Sequence, residues 1–223
     1  MREIVLDTET TGLNPASGHR IVEIGCIELV NHVATDRHYW QYVNPERDMP
    51  EEALNVHGLS ADFLSKHPVF ADVADAFLEF IGDAPLIIHN ADFDMGFINA
   101  ELKLIGRPVL AADRAIDTVR LARRKFPGAP ASLDALCKRF QIDNSDRALH
   151  GALKDARLLA DVYLELIGGR QPDLQLAGDK SAAAATAQAP RSRREPRPHR
   201  ASAEELERHA AFLEKLSEPV WRV

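Results

Sequence analysis

Ile4-Val5-Leu6-Asp7-Thr8-Glu9-Thr10-Thr11-Gly12 is the stretch on which the reading of the whole chain turns. Three consecutive apolar residues predict a buried strand. A strand sends alternate side chains to one face, so Asp7 and Glu9 project together at its end. Two carboxylates on one face repel each other. Either one of them keeps its proton or cations neutralise the pair, and oxygen-only ligands favour hard divalent ions such as Mg²⁺ or Mn²⁺. An Asp-x-Glu pair also fits an ordinary turn with solvated acids, so its meaning depends on whether further acids join it.

Working outward, 223 residues with 45% apolar content allow one sizeable domain and an appendage. Apolar runs such as Pro85-Leu86-Ile87-Ile88 fall far short of the roughly 20 residues of a bilayer span. No basic-then-apolar signal segment opens the chain. Cys26 and Cys137 are therefore expected to be reduced, buried thiols of a cytoplasmic protein. The net charge of −7 does not exclude a nucleic-acid substrate, because an acidic site can hold phosphate through bound cations.

After the first strand, Asn14 to Gly18 reads as a turn and Ile21 to Leu29 as a second strand. A polar break at Asn31 to Asp36 then precedes a third strand from His38 to Val43. Pro50-Glu51-Glu52-Ala53 starts a helix that the segment from Asn55 breaks, and Ser60 caps a short one. Phe70, Val73, Ala74, Phe77, Leu78 and Ile81 form the apolar stripe of a longer helix. Pro85 to Ile88 is a short buried strand, followed by helical spacing from Asp94 to Leu102. Three further helices are expected over Ile116 to Lys125, Ser132 to Phe140 and Ala152 to Ile167. Strands followed by a strand-helix unit and helices imply an α/β domain with a mixed sheet.

Further acids do join the first pair. His89-Asn90-Ala91-Asp92-Phe93-Asp94 follows the short strand, at the end where open α/β sheets place their sites. Position alone does not choose between Asp92 and Asp94. His150-Gly151-Ala152-Leu153-Lys154-Asp155 is the third cluster. On one continuous helix its His and Asp would lie about 140° apart, so His150 must precede the helix and Asp155 sit in its first turns. Gly151 permits that break. An imidazole titrating near neutral pH suits proton removal from an attacking water.

These three clusters resemble the exonuclease motifs of the DEDDh family, whose fold is ribonuclease H-like. Val56-His57-Gly58, Ser132-Leu133-Asp134-Ala135-Leu136-Cys137, Ile142-Asp143-Asn144-Ser145, His150-Gly151-Ala152-Leu153 and the terminal Trp221-Arg222 are similar to the proofreading subunits of bacterial replicative polymerases. The likeness covers about residues 2–170 and again 201–223. It implies a mixed five-stranded sheet flanked by helices, with a flexible C-terminal tail. It implies Asp7, Glu9, Asp94 and Asp155 as ligands of two divalent cations, Mg²⁺ or Mn²⁺, and His150 as general base. Asp7, Glu9 and Asp155 would also meet the substrate. The family's Phe-Asp selects Asp94 and leaves Asp92 as a solvated neighbour or as a group that supports a ligand from behind. Glu52 and His57 match positions lining the nucleotide site of similar proteins, while Asp117 lies outside the motifs and reads as structural.

The implied activity is two-metal hydrolysis from the 3′ end of DNA, and a mispaired terminus supplies the frayed single strand most cheaply. The implied organisation is an exonuclease domain over 1–170, a sliding-clamp-binding peptide over 171–176, a disordered linker over 177–200 and a polymerase-binding segment over 201–223. The clamp peptide rests on Gln171, Leu174 and Leu176, in a Gln-x-x-Leu-x-Leu pattern. The linker is alanine-rich and then basic and proline-rich, too poor in apolar residues to fold. Leu206, Ala210, Leu213 and Leu216 recur at helical spacing beyond it, on a helix marginal by itself and suited to docking on the polymerase catalytic subunit. A small accessory subunit is a further partner the likeness leaves open. An RNA-trimming exonuclease of the same family and a non-catalytic polymerase or clamp scaffold are the competing readings.

Overall fold

The computed structural model describes residues 1–145, 149–169 and 200–217. The chain divides into two units, Met1–Gln175 and Leu176–Val223. In the first, strand β1 (Arg2–Thr10) pairs antiparallel with β2 (Ile21–Val30), with Asp7 opposite Gly25 and Glu9 opposite Glu23. β2 turns directly into β3 (Val33–Tyr42) through Asn31 and His32, both at positive φ (51° and 67°). Two left-handed residues suffice for a tight hairpin. The expected polar break over Asn31 to Asp36 therefore shrinks to two residues, and the third strand starts at Val33.

Helix α1 (Glu51–His57) follows Pro50 and stops at Gly58, φ 75°, three residues beyond the expected break at Asn55. α2 (Ala61–Leu64) has its Phe63 amide capped by the Ser60 side chain, and α3 (Phe70–Ile81) buries Phe70, Val73, Ala74, Phe77 and Ile81, as the stripe predicts. Strand β4 (Leu86–Ile88) leads into α4 (Ala91–Leu104). A fifth strand, β5 (Ala115–Asp117), takes Ile116 from the segment read as helix. α5 (Thr118–Lys125) begins only after Asp117, whose side chain accepts the Val119 amide. α6 (Leu133–Phe140) is capped by Ser132, and α7 (Ala152–Leu166) closes this unit's described helices. The sheet order is β3-β2-β1-β4-β5, with β1, β4 and β5 parallel. This is the expected mixed five-stranded sheet.

Alternation along β1 divides the interior into two cores. Ile4 and Leu6 pack with Phe70 and Phe77 of α3 and with Phe97 and Ile98 of α4. Val5 faces the other way, with Leu136 of α6 and Ala156, Leu159 and Val162 of α7. Each such fully buried side chain stabilises the fold by about 1.5–3 kcal/mol. Odd-numbered residues of β1 thus look toward α7 and even-numbered ones toward α4. Neither Cys26 nor Cys137 forms a disulfide, and both thiols are buried.

In the second unit, α8 (Ala203–Leu213) is started by a capping box between Ser202 and Glu205, and none of its residues is buried. The linker residues 177–199, the clamp peptide with Gln171, Leu174 and Leu176, and Trp221 lie outside the described residues. Among the described residues no helix is long and apolar enough to cross a membrane.

Candidate active site

Asp7 and Glu9 stand at the C-terminal end of β1 on its α7-facing side. Asp155 arrives there in the first turn of α7, buried to 3% exposure. Glu9, His150 and Asp155 each bring a ligand atom within 4.8 Å of the others. His150 lies in the loop before the helix, as the spacing requires. Its backbone N–H donates to the Val56 carbonyl at 3.1 Å, and its Nδ1 lies 3.1 Å from Asp155 Oδ2. The loop is thereby tied to α1 at one point and to the helix at another.

Asp94 comes from the opposite face. It lies in the first turn of α4, a position the helix dipole favours for a carboxylate. Its Oδ1 accepts from the Thr8 amide at 3.0 Å and from Thr8 Oγ1 at 2.7 Å. Burial pushes this carboxyl up to about 7, with the Thr8 bonds pulling the other way. Asp7 and Asp94 stand outside the triplet formed by Glu9, His150 and Asp155. Asp7 and Glu9 belong to the C-terminal end of the central strand β1, with Asp155 brought to its α7-facing side and Asp94 bonded to Thr8 on its α4-facing side. Asp92 is exposed and pairs with Arg120 at 3.0 Å, a solvated neighbour as expected. Asp117 has a structural place: it accepts from the Val119 amide at 2.8 Å and the Asn90 amide at 3.2 Å, tying α5 to the entrance of α4.

A cavity of about 490 Å³ opens beside Glu9, lined by Thr10, Thr11, Gly12, Leu13, Glu52, Val56, His57 and Phe93 among others. Glu52 is exposed at its rim, whereas His57 is buried. His57 Nδ1 accepts from the Leu59 amide at 3.0 Å, which leaves the proton on Nε2. Burial lowers the His57 pKa, the Thr10 backbone opposes that, and the nearby His150 adds to it. His19, which sequence reasoning missed, lies so close to Gly12 that a Cβ there would sit 2.3 Å from its ring. No periodicity or motif marks such a contact across the turn. The donor set combines carboxylate oxygens with one imidazole, chemistry that suits a hard divalent cation.

A family model described as Exonuclease matches residues 4–163. The DNA polymerase III subunit epsilon of Rickettsia felis is 59% identical over 184 residues, covering 81% of this chain and 80% of that protein. Its Escherichia coli K12 counterpart is 48% identical over 176 residues, covering 76% and 72%. The chain belongs to the DNA polymerase III epsilon subunits. It is a 3′-5′ exonuclease of the proofreading kind, a phosphodiester hydrolase of a family that generally uses divalent metal ions. Among solved structures, Exonuclease X in complex with 5′ overhanging duplex DNA superposes with a TM-score of 0.58 at 25% identity, covering 74% of this chain and 90% of that one. The nuclease domain of 3′hExo, a DEDDh family member bound to rAMP, gives 0.65 at 19% identity over 74% and 91%, a likeness of fold alone.

Proposed function

We propose that this chain removes mispaired 3′-terminal nucleotides from DNA at the edge of β1, with Asp7, Glu9, Asp94 and Asp155 holding two divalent cations, Mg²⁺ or Mn²⁺. The observation that carries this reading is the convergence of Glu9, His150 and Asp155 within 4.8 Å, beside a nucleotide-sized cavity. When bound, such cations supply the positive charge that activates a water and stabilises the departing oxygen. The chain's own residues do the rest. His150 takes the proton of the attacking water on its ring, and Asp155 orients that ring through Nδ1. Gly12, Val56, His57 and Phe93 enclose the terminal nucleotide, with Glu52 at the mouth. Asp7, Glu9 and Asp155 also face the scissile phosphate. A mispaired end frays more readily than a paired one, so the cavity selects errors by requiring an unstacked terminus.

The epsilon relatives are named as subunits of DNA polymerase III, and work within such an assembly in the cytoplasm is proposed for this chain too. α8 supports a polymerase-docking role for residues 201–223: Leu206 and Phe212 are exposed on a capped helix. Gln171, Leu174 and Leu176 remain the proposed clamp contact, beside a linker over 177–200. Calorimetric titration with Mg²⁺ or Mn²⁺ should show two binding events, and nucleotide release from a mispaired DNA end should exceed release from a paired one. Equal or faster trimming of a matched RNA oligonucleotide would favour the RNA reading. Absence of both cation binding and release would leave only the scaffold.

A further inference from the structure

Glu23 takes no part in the cluster of ligand atoms, yet it is 4% exposed and lies directly opposite Glu9 in the β1–β2 register. Like charges placed opposite one another on a sheet are unfavourable, so a buried acid here calls for a compensating role. Its two oxygens have separate partners. Oε1 accepts from Trp40 Nε1 at 2.6 Å, and Oε2 accepts from the Ala152 amide at 3.1 Å. Ala152 is the first residue of α7, and the N-cap position before it is Gly151, which offers no side chain to cap the helix. An acid from a distant strand thus accepts the N1 amide of the helix, an orphan donor that a side chain at the N-cap would not reach, because N-cap side chains accept from N2 or N3. Its charge also faces the positive end of the helix dipole.

Gly25, two residues along the same face, completes the support. A Cβ there would sit 2.3 Å from the Ala152 backbone, so α7 begins directly on the bare strand. Because Gly25 is opposite Asp7 and Glu23 opposite Glu9, setting the helix down at these two positions delivers Asp155 to the strand's acids. It also orients His150, whose ring meets Asp155 at 3.1 Å.

We propose that Glu23 is a positioning residue for hydrolysis: by accepting the Ala152 amide from across the sheet, it sets where α7 starts and so where Asp155 and His150 stand relative to Glu9. This inference rests on the active site proposed above. Glu23→Gln is the direct test. The amide keeps the volume but has one accepting oxygen for two N–H donors, so one of the two bonds is lost and a donor faces a donor. The expected result is a fall in kcat of about 10- to 100-fold, as for residues that orient metal ligands, with KM within about twofold and the chain still folded at the assay temperature, its melting temperature lowered by a few degrees for the lost buried bond. An undiminished kcat in Glu23→Gln overturns the proposal. So does a kcat loss that accompanies unfolding at the assay temperature. A wild-type chain that releases no nucleotide overturns the underlying functional reading as well, whereas an active wild type beside an equally active Glu23→Gln overturns only this inference.

Discussion

The two helix-borne acids approach β1 from opposite faces and are set in place by different physics. Asp94 is bonded to the strand itself, through the amide and hydroxyl of Thr8. Asp155 depends on where a whole helix is laid down, on Gly25 and Glu23 of the neighbouring strand. One side of the site is therefore governed by hydrogen bonds to a single carboxylate. The other is governed by backbone proximity, where a methyl group more than a hundred residues away in sequence matters.

The largest effect should come from Asp155→Ala and Asp94→Ala, each expected to reduce nucleotide release to background while the fold persists by circular dichroism. If only one of them does so, the two faces do not contribute equally to the site. Gly25→Ala comes next. Its Cβ cannot be accommodated without shifting α7, so a stability loss of about 1–3 kcal/mol in denaturant titration and a clear fall in kcat are expected. Thr8→Val keeps the shape and removes the hydroxyl from Asp94, with an expected fall in activity of about 10- to 100-fold, the range for groups that orient metal ligands.

A smaller effect concerns pH. The Asp94 carboxyl is raised from the ordinary 3.8 to about 7 in the fold, so between those values the folded chain binds a proton that the unfolded chain releases. Its contribution favours folding at low pH and is lost as pH rises from about 4 through about 7. In metal-free protein, melting temperatures should show this loss relative to Asp94→Asn, which lacks the titrating group. Identical pH profiles for the two would remove burial as the dominant influence on Asp94. The smallest effect is Gly96→Ala in α4, where a Cβ meets nothing within 4 Å. Stabilisation by up to about 1 kcal/mol with full activity is expected, the opposite of Gly25→Ala. A loss there would erase the contrast between the two faces.

Much of this was legible in residue order because it depends on local periodicity. Alternation puts Asp7 and Glu9 on one face, and Gly151 separates His150 from the helix that carries Asp155. The stripe from Phe70 to Ile81 is a local pattern, as are the Ser60 and Ser132 caps. The misreadings fall where pairing partners are distant. Ala115–Asp117 is a strand because Leu86–Ile88 lies beside it, and three residues carry too little pattern to show that. Val33–Asp36 reads as a polar break because its β3 edge position leaves most of its side chains exposed.

By itself, the sequence determined which acids are available, their order, and that each sits at the end of a strand or the start of a helix, since those properties arise within a few residues of chain. Only the tertiary structure decided that Asp94 and Asp155 come from opposite faces of the sheet and that Glu23 and Gly25 receive α7. Both facts follow from strand register and close packing, which bring together groups as far apart as Glu23 and Ala152 and leave no periodic trace in either segment.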